Sequence, residues 1–373
     1  MKIKKITFGV VRIPFNISIG HNLKTRDSSA SVVVQLESEA GYTGYGEGAP
    51  RSYVTGESAT ELQTQAADLL KGLIGLEISY IADIERIVNA LQLEHNAFAL
   101  SAALELALLD VLGQEQQHSV ADFLGQEANY PVLYSAVLPF LPIDKAADWL
   151  DLVNAFGFNQ LKIKVGHNSD ESILALARER LGETMDIRLD ANRSWTYEEA
   201  IHKIKTFEKY NISSIEEPLA ESDIHRLSEL SWASDIPIML DESLYSMEHA
   251  QYYAETMDPG KLWFNLKVTK CGGLLATSRL FHFAAGKGIP CQLGCNVGET
   301  AILSAAGRLF AQTHPVQHLE GSYAAFFMQD DIGVQPFGFC RSGRAKPMQD
   351  PGLGIAIDRL KLKKYSSFET VIQ

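Results

Sequence analysis

The sequence predicts an α/β protein of about two domains, an α+β segment followed by a longer domain of parallel strands. Three observations carry this reading. The chain has 373 residues, too many for one small core. Strands come first and helices after over residues 1–125, the order of an α+β segment. From about residue 131, eight β-rich runs recur about 26 residues apart, each followed by a helical, charged stretch. That spacing suits one strand, one helix and two loops, and eight is the count of a parallel barrel. An open doubly wound sheet keeps the same rhythm, so periodicity leaves both architectures standing. The boundaries expected are 1–125, 126–325 and a tail at 326–373.

Each element has its own signal. Ser31–Leu36 is β-rich, and Gly44-Tyr45-Gly46-Glu47-Gly48 is expected as a turn. It is not a nucleotide loop, because no helix opens directly from it and Pro50 follows. The stretch AFALSAALELALLDVLGQ from Ala97 is rich in Ala and Leu with helical spacing. The eight runs are VLYSAVL at 132, QLKIKV at 160, DIRLD at 186, ISSIEEP at 212, IPIMLDE at 236, LWFNLKV at 262, IPCQLG at 289 and VQHLEG at 316. Gly272-Gly273 is expected in a tight turn after the sixth. The tail is loop-rich with a basic end at Lys361–Lys364, and is expected to pack back on the first segment.

Composition narrows the function classes. Hydrophobic residues make up 46% and charged residues 21%, which excludes a disordered or collagen-like chain and a small disulfide scaffold. The net charge of −13 and pI near 5.3 make the chain a poor match to nucleic acid or anionic membrane. Small molecules are the expected ligands. Lysines and Arg12 interrupt the opening MKIKKITFGVVRIPF, so it reads as a strand and not a leader. No stretch approaches the ~18 apolar residues of a membrane helix. Cys271, Cys291, Cys295 and Cys340 form no CxxC pair and no zinc spacing, so reduced thiols in a cytoplasmic protein are expected.

The chemistry lies where the runs end, because a parallel barrel carries its active site at the C-terminal ends of its strands. The second run carries Lys162 and Lys164, two apart and so on one face. The third ends at Asp190 with Asn192 beyond it, the fourth at Glu216-Glu217-Pro218, and the fifth at Asp241-Glu242. The sixth carries Lys267 and Lys270, and the eighth ends at His318-Leu319-Glu320. On neighbouring strands about 4.8 Å apart, Asp190, Glu216 and Asp241 would converge. At an effective dielectric of about 20, each close pair costs on the order of 4 kcal/mol at roughly 4 Å. A divalent cation removes that cost, and all-oxygen ligands favour Mg²⁺ over Zn²⁺. A lysine beside a second lysine has its charged form disfavoured, so Lys162 would push Lys164 toward a free amine. Lys267 would face it across the mouth. Two bases around a metal site suit removal of a proton α to a carboxylate.

The ordered set LKIKVG, RLDANRSW, IEEP, DES, NLKVTKCGG and PGLG (351–354) resembles the enolase superfamily, in its muconate lactonizing enzyme-like branch, over nearly the whole chain. The resemblance implies a (β/α)₇β modified TIM barrel with an α+β capping domain, and so the barrel over the doubly wound sheet. It implies Mg²⁺ held by Asp190, Glu216 and Asp241, with Lys164 and Lys267 as two general acid/base lysines and Lys162 as their supporting partner. Asn192, Glu242, Lys270 and Glu299 are expected around them. The mandelate racemase-like branch places a His after the seventh strand, and Gln292–Thr300 contains none.

The lysine pair resembles muconate cycloisomerases, o-succinylbenzoate synthases, N-succinylamino acid racemases and dipeptide epimerases. LKIKVG and RLDANRSW look most like the last. Dipeptide epimerases carry Asp-x-Asp after the eighth strand to hold the dipeptide ammonium, whereas this chain has His318 and Glu320 there, both expected at the substrate. The loop at 17–29, with His21, Lys24 and Arg26, is expected to close over the barrel and read the distal part of the substrate, with Tyr53 and Thr55 beside it. Trp195 is expected to pack in the core or rim. The expected activity is a Mg²⁺-dependent epimerase or racemase, working by 1,1-proton transfer through an enediolate on a dipeptide or N-acyl amino acid. A cycloisomerase or synthase on the same site is the alternative, and a non-catalytic barrel a third class. A homo-oligomer is expected from the resemblance.

Overall fold

The computed structural model describes residues 1–21, 24–125, 130–167 and 169–373, without the side chains of 17–21, 24–25 and 93–95. The N-terminal strands are β1 (Ile3–Val11), β2 (Pro14–His21), β3 (Lys24–Ser28), β4 (Ser31–Ser38) and β5 (Thr43–Gly48). β1, β4 and β5 form an antiparallel sheet, while β2 and β3 pair with each other as a separate hairpin. The segment expected as a loop at 17–29 is therefore largely this hairpin. Helices α1 (Ala59–Leu70), α2 (Ile81–His95) and α3 (Phe98–Gln116) follow. α1 opens with a capping box between Ser58 and Glu61.

The Gly-Tyr-Gly-Glu-Gly stretch, expected as a turn, is strand β5. A Cβ on Gly46 would stand 1.8 Å from the Ala103 carbonyl oxygen, and one on Gly48 1.9 Å from that of Ala99. Glycine at every second position gives the strand a bare face. Alanine at every fourth position of α3 (Ala99, Ala103, Ala107) gives the helix one too, and the two backbones touch. α3 is buried on every side from Phe98 to Gly113, which is why its apolar residues wrap the whole helix rather than one stripe.

Two acids, Glu105 and Asp110, are buried in this helix. Glu105 accepts the Leu275 amide at 3.1 Å on one oxygen, and its other oxygen has no partner. Burial pushes its carboxyl up to about 8. A folded-state value above the unfolded one means stability that is full below about pH 4.5 and is lost as pH rises toward 8, at about 1.4 kcal/mol per unit. Glu105→Gln keeps the shape and removes the titration. Its melting temperature is expected to fall less than the wild type's between pH 6 and pH 8, by about 4 °C. Equal slopes in thermal melts would show that Glu105 ionises normally.

The second part of the chain is a parallel barrel. Its strands are preceded by the short β6 (Val132–Leu133), and run β7 (Ala136–Leu138), β8 (Gln160–Lys164), β9 (Asp186–Asp190), β10 (Ile212–Glu216), β11 (Ile238–Leu240), β12 (Leu262–Leu266), β13 (Cys291–Leu293) and β14 (His318–Leu319). β7 to β14 lie side by side in chain order. A parallel bridge between Tyr134 and Leu319, with the Ser135 amide 2.8 Å from the Leu319 carbonyl, joins the last strand to the start of the first and closes the ring. The connecting helices are α4 (Ile143–Phe156), α5 (Asp170–Leu181), α6 (Tyr197–Phe207), α7 (Leu227–Ala233), α8 (Met247–Thr256), the short α9 (Val268–Cys271), α10 (Leu274–Gly286) and α11 (Ala301–Thr313).

Three details differ from the sequence reading. The run at 132 splits: only Ala136–Leu138 enters the barrel, while β6 pairs with β15 (Arg344–Ala345) of the tail. The tail crosses so closely that a Cβ on Gly343 would lie 2.0 Å from the Tyr134 carbonyl oxygen. The tail also ends in a strand, β16 (Ser366–Ile372), which pairs with β1 and forms the edge of the N-terminal sheet. Gly272 and Gly273 do more than turn the chain, since side chains there would strike Gln92 and Glu105 of the capping helices. Trp195 is buried in the core beside Phe207. Among the described residues, no helix is long and apolar enough to cross a membrane.

Candidate active site

Parallel register levels the strand ends. Lys164 pairs with Asp190, Asp190 with Glu216, and Glu216 with Met239, two residues before Asp241. Lys267 directly follows β12. β8 and β12 stand four strands apart in a ring of eight, so Lys164 and Lys267 occupy opposite sides of the mouth. Between them and the N-terminal part lies a cavity of ≈ 240 Å³. Its barrel side carries Lys162, Lys164, Asp190, Asp241, Lys267 and Glu320, and its far side Phe15, Arg26, Tyr53 and Val54.

The charged groups answer one another. Lys162 Nζ lies 2.8 Å from Glu320, 3.4 Å from Glu216 and 3.5 Å from Asp190. Burial opposes its charge, but those three carboxylates outweigh burial and hold the Lys162 ammonium well above the usual lysine range. The Lys162 charge expected to act on Lys164 is thus shared among three acids. Lys164 Nζ donates to Asn192 Oδ1 at 2.6 Å and lies 3.5 Å from Asp190. Asn192 reaches it from a left-handed backbone position, φ 44°, just past the strand end. Lys267 Nζ donates to Asp241 Oδ2. Lys270 donates to the other oxygen at 2.9 Å, and to the Asp241 and Asn265 carbonyls at 2.6 and 2.7 Å. Against burial, Lys267 and Lys270 hold Asp241 well below the usual carboxylate range.

The donor set fits a hard divalent ion. Asp190, Glu216 and Asp241 are buried, offer only oxygen, and end three adjacent strands. Burial pushes Glu216 up to about 8, with Asp190, Asp241 and Glu320 adding to the shift against Lys162. Burial is the larger cause, and the neighbouring carboxylates add to it. Glu242, beside Asp241, keeps a buried oxygen with no partner. The expected convergence is not complete as the side chains stand. Among the described residues, no three His, Cys, Asp or Glu are gathered closely enough to hold an ion, and Lys162, Lys164 and Lys267 contact these acids instead.

Several expected residues land elsewhere. His318 does not reach the cavity. It lies one inward layer below Glu320, 2% exposed, with Nε2 2.7 Å from Asp186 and its ring stacked on Trp263 at the opposite ends of the strands. Glu320 lines the cavity, but both its oxygens are taken, by Lys162 and by Arg188 Nη2 at 2.7 Å. Thr55 turns away to Glu57 at 2.6 Å. Glu299 accepts the Asn296 amide at 2.6 Å beside the cavity, and burial pushes it up to about 8. The Arg26 guanidinium lies 5.8 Å from the centre of the Tyr53 ring, and both line the cavity. The side chains of His21 and Lys24 lie outside the described residues.

Three positioning residues were not expected. Asn265 Nδ2 donates to Glu216 at 2.7 Å, and a Cβ on Gly294 would strike its amide. Glu217 accepts the amides of Asp241 at 2.9 Å and Ser243 at 2.6 Å, tying β10 to the loop after β11. Arg188 holds Glu320. The signal was the period of two: Arg188 stands two before Asp190, and Asn265 two before Lys267.

Comparison with known proteins agrees with this geometry. Residues 3–125 match the mandelate racemase/muconate lactonizing enzyme N-terminal domain family, and residues 144–361 the enolase C-terminal domain-like family. A hydrophobic dipeptide epimerase of Enterococcus faecalis is 31% identical, over 83% of this chain and 87% of that protein. An N-succinyl-L-Arg/Lys racemase of Bacillus cereus is 27% identical over the full length of both. A structure of the Enterococcus faecalis dipeptide epimerase with Mg and the dipeptide L-Leu-L-Tyr superposes with a TM-score of 0.85 at 28% identity, covering 95% of this chain and 100% of that one.

Proposed function

The chain belongs to the mandelate racemase/muconate lactonizing enzyme family of the enolase superfamily, and on that premise we propose that it is a Mg²⁺-dependent isomerase, an epimerase or racemase of a dipeptide or N-acyl amino acid. One observation carries the reaction type: two lysines face each other across a barrel mouth whose floor is a set of buried carboxylates. A substrate carbon held between them offers its hydrogen to one lysine and its opposite face to the other. Lys164 or Lys267, as the free amine, takes the α-proton, and the other, as the ammonium, returns one from the far side, so the centre inverts. Asp190, Glu216 and Asp241 would hold Mg²⁺, which supplies positive charge for the substrate carboxylate as it becomes an enediolate. Asn192 orients Lys164, Lys270 and Glu217 orient Asp241, and Asn265 orients Glu216. The cycloisomerase alternative shares the lysine pair, but the relatives' activities favour epimerisation.

The test is α-carbon exchange in D₂O with Mg²⁺, across dipeptides and N-acyl amino acids, with chiral analysis of the product. Exchange with inversion is expected for at least one substrate. Turnover of a muconate with no α-exchange anywhere would replace this reading. Arg26, on the cavity wall above the barrel, is proposed to meet a distal carboxylate. Arg26→Ala is expected to raise KM about tenfold or more for substrates with a second acid, leaving kcat nearly unchanged.

A further inference from the structure

The proposed reaction fixes the α-carboxylate and α-hydrogen of the substrate but not the charge of its amino end. Glu320, at the end of β14, is the cavity-wall carboxylate outside the Asp190–Glu216–Asp241 group and Glu242 beside it. Left free, it would be a natural partner for a substrate ammonium. It is not free: Oε1 accepts from Arg188 Nη2 at 2.7 Å and Oε2 from Lys162 at 2.8 Å. Arg188 is 1% exposed inside the barrel, and among the described residues its Nε and Nη1 have no partner. Glu320 is the carboxylate in contact with that guanidinium. An incoming ammonium would be a third cation on one acid, and drawing Glu320 to it would strand a buried charge with nothing to replace its partner. The wall nearby is apolar, with Val137, Phe140, Tyr323 and Phe327, and suits an uncharged acyl chain.

We propose that Arg188, by holding Glu320, makes this site select N-acyl amino acids whose acyl group carries no ammonium over dipeptides, whose N-terminal residue presents one. The proposal rests on the epimerase or racemase reading. Arg188 is a positioning residue here, acting through Glu320.

L-alanyl-L-leucine and N-propionyl-L-leucine differ only in the ammonium, and the same pairing can be made with phenylalanine, lysine or glutamate as the exchanging residue. The readout is kcat/KM for α-deuterium uptake by the Mg²⁺-loaded enzyme. The wild type is expected to prefer the N-propionyl member tenfold or more. Arg188→Met is expected to shift that ratio toward the dipeptide at least tenfold, whereas Arg188→Lys keeps the wild-type preference. Should Arg188→Met not fold, Glu320→Gln decides the same point: both members of a pair should change by a common factor, and a loss confined to the dipeptide overturns the proposal. Wild-type activity that is equal or higher on the dipeptide also overturns it, and leaves the racemase reading intact. No exchange with any pair overturns both.

Discussion

Lys267→Ala and Lys164→Ala are each expected to lower epimerisation by 10³-fold or more, yet to leave different remnants. A general acid or base contributes about 10²–10⁴-fold, and inversion needs both in every turnover. Exchange needs only one. With Lys164 intact, the isomer whose hydrogen faces β8 should still take up deuterium in the Lys267→Ala enzyme without changing configuration. The mirror outcome is expected for Lys164→Ala. This split follows from four strands separating β8 and β12 in a closed ring of eight, which places the two amines on opposite faces of one carbon. Chiral chromatography with mass detection of deuterium reads both quantities at once. If either variant still inverts its substrate at a rate near the wild type's, the two-base assignment fails. If both lose exchange of both isomers equally, the lysines act as a pair on one face and the geometry has been misread.

The residues at the strand ends were legible in the sequence for a physical reason. Lys164, Asp190, Glu216, Asp241 and Lys267 each terminate or follow a β-rich run, and parallel pairing sets those ends at one level without any further information. What lay one layer deeper was not read, although the same rule reaches it. Residues two apart share a face, so Arg188 lies beneath Asp190, Asn265 beneath Lys267, and His318 beneath Glu320. Arg188 and Asn265 looked like ordinary strand residues, because a run of five residues has no room to show a polar inner stripe, and His318 was placed at the substrate. Applied there, the rule would have lowered His318 from the cavity to the barrel floor. Closure of the barrel lay beyond periodicity, since strand order is a long-range property. So did β16, whose polar alternation SSFETVI only makes sense once β1 is beside it.

Mg²⁺ is expected to bind more tightly as pH rises toward 8, and to raise the melting temperature more at pH 8 than at pH 6. Without the ion, burial and its acidic neighbours push Glu216 up to about 8. Below that value the carboxyl carries a proton that a metal must displace. Binding therefore releases about one proton, and affinity should change up to tenfold per pH unit below 8, then level off. Stabilisation follows the same course, since an ion at 100 times its dissociation constant adds about 2.7 kcal/mol. In the metal-free protein the sign is opposite: a carboxyl held above its unfolded value loses its contribution as pH rises from about 4.5 to 8. The two effects separate cleanly in melts with Mg²⁺ and with a chelator. Glu216→Gln has no proton to release, so it should bind Mg²⁺ weakly at every pH and show no such slope, with activity down 10³-fold or more. Chelation of the wild type should abolish α-exchange, and added Mg²⁺ should restore it. A pH-independent Mg²⁺ affinity in the wild type would mean that Glu216 is not among the groups that meet the ion.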